Sequence, residues 1–194
     1  SLISLLFIAG CESNPPRVAQ SATTTSEGRT ITPIGASSRN QADNAYASGD
    51  DARALALYLP IARDGDAVVQ ARVAYLYKRN RGVPVNETES CNWYEKAATN
   101  NTQDGTSAVH IGICFENGAG RAKSMTEAVR WYRTGAERNN PFGMYNLGLA
   151  FEFGAGAQQD FAQAANWFQR ALDAKLPPGD AVDARRHLKR SQNH

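Results

Sequence analysis

The sequence predicts an all-α fold, a right-handed superhelical solenoid of antiparallel helix pairs closed by a C-terminal capping helix. Three observations predict it: a recurring aromatic pair, turns rich in glycine in register with that pair, and helix-capping residues at a fixed distance before it. The aromatic pairs, spaced 38 and then 36 residues apart, are Trp93-Tyr94, Trp131-Tyr132 and Trp167-Phe168. A weaker first copy, Leu57-Tyr58, precedes them. A period of this size is typical of stacked helical units, none of which can bury its apolar face alone.

Each repeating unit is predicted to contain a helix, a turn and a second, capped helix. The turns contain glycine or asparagine, which tolerate a positive φ: Asn80-Arg81-Gly82, Gly118-Ala119-Gly120 and Gly154-Ala155-Gly156. Seven residues before each aromatic pair stands a residue typical of a helix N-cap: Asp50, Asn86, Ser124 and Asp160. Side chains of these types accept hydrogen bonds from the first backbone N–H groups of a helix.

Together these positions resemble the Sel1-like repeat, a relative of the tetratricopeptide repeat. The matching units run from Phe142 to Leu172, from Thr106 to Ala136 and, with Ala74 in place of a glycine, from Val68 to Ala98. A first unit around residues 46–50 is degenerate. The resemblance implies a repeat domain over residues 41–176, followed by a capping helix and tail over residues 177–194. A helical bundle that matches by chance is the alternative.

The N-terminal segment resembles the signal of a bacterial lipoprotein. Residues 2–9 form an apolar run that is too short to span a bilayer as a helix but fits the core of a secretory signal. Residues 1–10 are therefore expected to be a lipoprotein signal peptide truncated at its start, since neither Met nor a basic segment precedes the run. The sequence Ile8-Ala9-Gly10-Cys11 resembles a lipobox, which implies that Cys11 carries a lipid. An ordinary secretory signal with an incidental cysteine is the alternative.

Lipidation of Cys11 implies a periplasm-facing protein of the Gram-negative cell envelope. Glu12 is not the aspartate that commonly retains lipoproteins in the inner membrane, which favours the outer membrane. Residues 11–40, rich in Ser, Thr and Pro, are expected to be a disordered tether between the lipid and the repeats, because such a composition cannot bury enough apolar surface to fold. A cleavable pro-segment is the alternative.

Two cysteines lie within the repeats. Cys91 belongs to the second helix of one unit and Cys114 to the first helix of the next, almost equally far from the turn near Gln103. An antiparallel hairpin places them at the same height, and an oxidising compartment favours a disulfide between them. Free buried cysteines are the alternative. Some families with Sel1-like repeats use disulfides, typically within a repeat, so a bridge between repeats departs from that pattern.

Composition and residue spacing argue against several classes of function. A net charge of +2 disfavours a dedicated nucleic-acid binder. A basic cluster is expected on the polar face of the terminal helix, with a binding patch as the alternative: Arg185, Arg186, Lys189 and Arg190. None of the three histidines has an evident nucleophile or metal-ligand spacing around it: His110, His187 and His194. We therefore expect no catalytic site, no metal, no cofactor and no small-molecule substrate.

The resemblance implies a partner-binding groove along the first helices of the units. Its expected floor lies two residues beyond the repeated apolar position, at Tyr75, Ile113 and Leu149. The expected neighbours are Arg72, Arg79, His110, Asn117, Tyr145 and Phe153. Exposed aromatic residues and arginines dominate protein interfaces. Packing of the three floor residues between repeats is the alternative.

The expected function is that of a lipid-anchored, protein-binding scaffold that organises an envelope complex. The protein partner cannot be named from the sequence, and the membrane is contacted through the N-terminal lipid. The alternative function, implied by the same resemblance, is an immunity protein that neutralises a phospholipase effector delivered by type VI secretion. A lipid- or glycan-processing enzyme is disfavoured because the sequence shows no catalytic constellation.

Overall fold

The structure is a computed structural model that describes residues 34–194, with side chains from residue 38 onwards. The described part of the chain is all α-helix with no strand. Its nine helices are α1 (Ile34–Ser48), α2 (Asp51–Arg63), α3 (Ala67–Lys78), α4 (Glu87–Asn100), α5 (Gly105–Asn117), α6 (Met125–Glu137), α7 (Pro141–Phe153), α8 (Phe161–Asp173) and α9 (Pro178–Ser191). None of these helices is both long and apolar enough to cross a membrane.

The helices form a solenoid in which each helix packs against the next one in the chain. Three complete repeats are formed by α3 with α4, α5 with α6, and α7 with α8. The pair α1 and α2 precedes them, and α9 packs against α8 and contacts α7 at the other end. The all-α repeat solenoid with a C-terminal helix is therefore confirmed.

The predicted caps begin the second helix of every pair. Each side chain accepts a hydrogen bond from a backbone N–H three residues on: Asp50 from Arg53, Asn86 from Glu89, Ser124 from Glu127, and Asp160 from Gln163. Gly118 and Gly154 end α5 and α7 with φ values of 75° and 66°. A residue with a Cβ is strained in this left-handed conformation, which explains why glycine occupies both turns.

The core is built on the second residue of each aromatic pair. Tyr58, Tyr132 and Phe168 are fully buried, and Tyr94 is almost so. A Cβ on Gly112 would lie 2.4 Å from the Tyr132 ring, and one on Gly148 would lie 2.7 Å from the Phe168 ring. In these two repeats, glycine in the first helix therefore lets the aromatic ring of the second helix lie against the backbone.

The N-terminal boundary differs from the sequence prediction. Residues 34–40 belong to α1 rather than to a tether that extends to residue 40. Ala42 and Ala45 are buried in the core cluster that includes α2, and Arg39 forms an ion pair with Asp66, the N-cap of α3. The expected lipid site Cys11 and the rest of the expected signal and tether, residues 1–33, lie outside the described residues.

Candidate functional site

The candidate functional site is a cleft between α3 and α5, the first helices of the first two complete repeats. α5 packs against α7, and α7 contacts α9, whereas α3 and α5 make at most marginal contact with each other. The turn before α5 carries the two extra residues that lengthen the first aromatic spacing from 36 to 38. Two cavities open in this cleft.

The first cavity, here the disulfide cavity, has a volume of about 210 Å³. Its walls include the two cysteines and the side chains of Tyr94, Ile113 and Ala119. The polar and charged residues in its walls are Lys78, Glu87, Ser90, His110, Glu116 and Asn117. The second cavity, here the turn cavity, has a volume of about 530 Å³ and lies between α3 and the turns that precede α5 and α7. Both cavities are large enough for side chains of a partner.

Tyr94 and His110 line both cavities and separate one from the other. Their rings stack, with centroids 4.2 Å apart and an angle of 17° between the planes. Burial, with a smaller contribution from the positive charge of Lys78, lowers the pKa of His110 to about 3. The imidazole is therefore neutral at physiological pH and offers one donor and one acceptor nitrogen.

A disulfide joins the two walls of the disulfide cavity. Cys91 on α4 is bonded to Cys114 on α5, and their Cα atoms lie 6.1 Å apart. The bond links two consecutive repeats, which is the arrangement that the sequence predicted. It fixes the position of α5 relative to α4 and thereby one side of the cleft.

An arginine from the following turn holds the other end of the α4–α5 hairpin. The Arg138 Nη1 donates hydrogen bonds to the carbonyl oxygens of Ala98, at 3.2 Å, and Asp104, at 3.0 Å. Asp104 is also the N-cap of α5, where its carboxylate accepts from the backbone N–H groups of Thr106 and Ser107. The rim of the turn cavity is therefore fixed by hydrogen bonds on both sides of the turn.

Two of the predicted groove residues, Tyr75 and Arg79, form one cluster on α3. The Arg79 guanidinium lies 5.2 Å from the Tyr75 ring centroid and 5.7 Å from that of Tyr46 on α1. It also pairs with the buried carboxylate of Asp51 at 3.6 Å. Cation–π contacts on two sides and this ion pair hold the guanidinium on the side of α3 that faces α1 and α2.

The structure corrects the predicted position of Arg72. This residue is 7 % exposed and forms an ion pair with Asp43 of α1. Its guanidinium also donates a 2.7 Å hydrogen bond to the hydroxyl of Tyr58. Arg72 therefore attaches α1 to the solenoid and is not a groove contact.

The last repeat does not expose the predicted groove floor, because α9 packs against this end of the molecule. Leu149 is fully buried in the core and Tyr145 is 4 % exposed. The Tyr145 ring lies 6.2 Å from the ring of His187 on α9, and Phe153 is half-buried with its ring 6.1 Å from the same imidazole. The predicted continuous groove is therefore interrupted here.

The remaining predicted groove residues are brought together at the cleft. His110, Ile113 and Asn117 line the disulfide cavity, and Tyr75 and His110 line the turn cavity. The sequence analysis missed Tyr94, whose ring forms the boundary between the cavities, because it was read only as a core position. The signal available in the sequence is the longer aromatic spacing, which places two extra residues in the turn before α5, next to the turn cavity.

The wall of the disulfide cavity contains one buried carboxyl group, that of Glu116. Glu116 is 5 % exposed, and its carboxylate accepts a 2.5 Å hydrogen bond from the hydroxyl of Tyr132. Burial raises the pKa of Glu116, an effect that this hydrogen bond and the charge of Lys123 partly oppose. Among residues 34–194, no group of three or more His, Cys, Asp or Glu side chains is placed to hold a metal ion.

Comparison with solved structures confirms the fold. A Sel1 repeat protein from Oxalobacter formigenes aligns with a TM-score of 0.63 and 26% identity over 70% of this chain and 54% of its own. The protective antigen c5321 of uropathogenic Escherichia coli, which displays an SLR fold, aligns with a TM-score of 0.59 and 22% identity over 81% of this chain and 38% of its own. Cysteine rich protein B of Helicobacter pylori aligns with a TM-score of 0.51 and 18% identity over 78% of this chain and 96% of its own.

The chain thus spans about half or less of the length of the first two of these proteins. Comparison with curated proteins gives no significant match. The family model for the Sel1 repeat matches residues 67–101, 106–140 and 141–176, which are the three complete repeats of the solenoid. Proteins with these repeats are generally scaffolds for protein interactions. Because these matches cover more than half of the sequence, the chain belongs to the Sel1 repeat family.

Proposed function

We propose that this protein is a lipid-anchored scaffold of the cell envelope that binds a protein partner through the cleft between α3 and α5. The observation that carries the proposal is the gap between α3 and α5, which make at most marginal contact, whereas the next two first helices, α5 and α7, pack against each other. The cleft provides two cavities and a stacked Tyr94–His110 pair that lines both of them. Aromatic residues contribute strongly to protein interfaces.

The wall of the cleft that the α4–α5 hairpin forms is rigid, which favours binding of a partner. One end of this hairpin is fixed by the Cys91–Cys114 disulfide and the other by the hydrogen bonds of Arg138. A rigid surface loses little conformational entropy when a partner binds, which improves affinity. The lipidation of Cys11, implied by the lipobox-like sequence, would hold this surface at a membrane from which a partner can be recruited.

Site-specific photocrosslinking in cells tests this function. A photoreactive residue replaces Asn117 at the disulfide cavity or Gln103 at the turn cavity, both exposed, and Gln169 on α8 serves as an exposed control away from the cleft. We expect the same envelope protein to be crosslinked from the two cleft positions and not from the control. Equal crosslinking from Gln169 would exclude the cleft as the binding surface.

The identity of the crosslinked protein distinguishes the two roles that the sequence leaves open. A component of an export or cell-wall complex supports the role of an adaptor, and a phospholipase supports that of an immunity protein. The crosslinking positions therefore show where the partner binds, and the identity of the crosslinked protein shows which role the protein has.

A further inference from the structure

We propose that the disulfide cavity is a binding pocket for a tyrosine side chain of the protein partner, with His110 as the hydrogen-bonding group for the phenol. This inference rests on the proposed protein-binding function and names the chemistry of the anchor. It starts from two independent observations: a cavity of suitable size, and an imidazole in its wall whose ring nitrogens are accessible from the cavity.

The size and walls of the cavity suit an aromatic ring. An apolar cavity of about 150 Å³ is known to accept benzene in another protein, and the disulfide cavity measures about 210 Å³. Ile113, Ala119 and the ring of Tyr94 supply apolar surface, and the sulfur atoms of Cys91 and Cys114 border the same space. Sulfur atoms and aromatic rings make favourable contacts with a further ring.

His110 provides the specificity. The residue is only 4 % exposed and its ring stacks on Tyr94, but its ring nitrogens remain accessible from the cavity and form no hydrogen bond with residues 34–194. A ligand that covers these nitrogens without bonding to them leaves a buried polar group without a partner, which costs about 1–3 kcal/mol, so a ligand that bonds to them is favoured. An apolar ring alone, such as that of phenylalanine, would leave this group unsatisfied.

Tyrosine fits this imidazole better than tryptophan does. No hydrogen bond from the described residues fixes which ring nitrogen of His110 carries the proton. A phenol hydroxyl both donates and accepts, so it pairs with either nitrogen, whereas an indole N–H only donates.

The experiment titrates the oxidised protein with p-cresol, toluene and 3-methylindole, which are the side-chain analogues of tyrosine, phenylalanine and tryptophan. The readout is the NMR shifts of the Ile113 methyl groups and of the His110 and Cys114 amides. We expect p-cresol to bind with an affinity at least about fivefold higher than that of toluene, as one additional hydrogen bond provides. The His110→Phe variant, which retains a ring to stack on Tyr94, should lower this ratio to about one.

Two further variants keep the test decisive if His110→Phe does not fold. Ile113→Trp fills the cavity and should abolish binding of p-cresol, whereas Val182→Trp, at an exposed position on α9, should leave it unchanged. Equal affinity for p-cresol and toluene in the unaltered protein, tighter binding of 3-methylindole, or binding that survives Ile113→Trp would each overturn the proposal.

The pocket and the scaffold function can fail separately. If p-cresol binds as expected but the cleft positions crosslink no protein, the pocket is real and the proposed protein-binding function is wrong. If a protein is crosslinked from the cleft and Ile113→Trp does not weaken that crosslinking, the function holds and the tyrosine pocket is wrong.

Discussion

At the scale of single residues, each of the last two complete repeats depends on a glycine against which an aromatic ring packs. Gly112 receives the ring of Tyr132, and Gly148 receives that of Phe168, both of which are fully buried. The first complete repeat has Ala74 at the equivalent position and Tyr94 as the aromatic residue.

The Gly148→Ala substitution should destabilise the protein by about 1–3 kcal/mol, because the added methyl group would lie 2.7 Å from a ring that is packed on all sides. The Gly179→Ala substitution is the matched control, since nothing lies within 4 Å of a Cβ there. Its stability should be unchanged or higher by up to about 1 kcal/mol. Urea denaturation measures both, and equal loss in the two variants would contradict the packing role of Gly148.

A second residue-scale prediction concerns His110 and acid. The imidazole takes up a proton near pH 6.5 in the unfolded chain but only near pH 3 in the folded protein. Between these values the unfolded state binds more protons, so the stability is fully present above pH 6.5 and falls as the pH decreases towards 3. The contribution of one such group has a slope of about 1.4 kcal/mol per pH unit.

The test compares the unfolding free energies of the unaltered protein and the His110→Phe variant at several pH values between 7 and 4, in the same series of buffers. Glu87, Glu116 and Lys78 around the cavity are present in both proteins, so their contributions largely cancel in the difference. The variant should lose less stability on acidification. Parallel pH profiles would show that His110 is not buried in its neutral form.

At the scale of helices, α9 is attached to the last repeat by one buried carboxylate. Glu152 of α7 is 1 % exposed and accepts a 2.6 Å contact from Nδ1 of His187, while the Nε of Arg190 lies 3.3 Å from its second oxygen. The His187 ring also stacks on Phe168 with centroids 5.4 Å apart. Polar and aromatic contacts therefore act together at this junction.

The Glu152→Gln substitution should loosen α9, because the amide keeps the shape of the side chain but loses the negative charge that faces the Arg190 guanidinium and accepts from the His187 imidazole. We expect the free energy of local opening of α9 to fall by about 1–3 kcal/mol. Hydrogen exchange measures this: the α9 amides should exchange faster in the variant than in the unaltered protein, and the α5 amides should change less. Arg186→Ala removes only an exposed pair with Asp183 and should have little effect. A similar effect of both substitutions would argue against the attachment through Glu152.

The interior helices could be predicted from the sequence because their signals are local and repeat together. The caps at Asp50, Asn86, Ser124 and Asp160 and the turns at Gly118 and Gly154 depend on residue types within one turn of the helix end. The disulfide could also be predicted, since an antiparallel hairpin fixes the relative height of Cys91 and Cys114.

The two ends of the solenoid could not be predicted in the same way. The start of α1 lacks an apolar period, and the helix is attached through the polar partners Arg39–Asp66 and Asp43–Arg72. Whether Tyr145 and Leu149 are open to a partner depends on where α9 packs, which no local pattern encodes. Of the predicted groove residues, His110, Ile113 and Asn117 therefore line a cavity in the middle of the chain, whereas Arg72, Tyr145 and Leu149 are buried, and partner binding stays a prediction.

At the scale of the whole molecule, lipidation of Cys11 remains a prediction. Metabolic labelling with a clickable palmitate should mark the protein in the envelope fraction, because the sequence before Cys11 resembles a lipobox. The Cys11→Ser variant should be unlabelled and should leave the membrane, since acyl chains supply the attachment. Equal labelling of both proteins would refute lipidation at this residue.

The short sequence separation of the disulfide has a consequence for how the chain acquires its structure. The bridge spans 23 residues and involves only α4 and α5. Contacts in the solenoid are between helices that are consecutive or one helix apart in the chain, so folding can proceed from the N-terminus without waiting for distant segments. In a chain that emerges into an oxidising compartment end first, the crosslink can therefore close before α6 to α9 have appeared, and the later repeats add onto a hairpin that is already covalently locked.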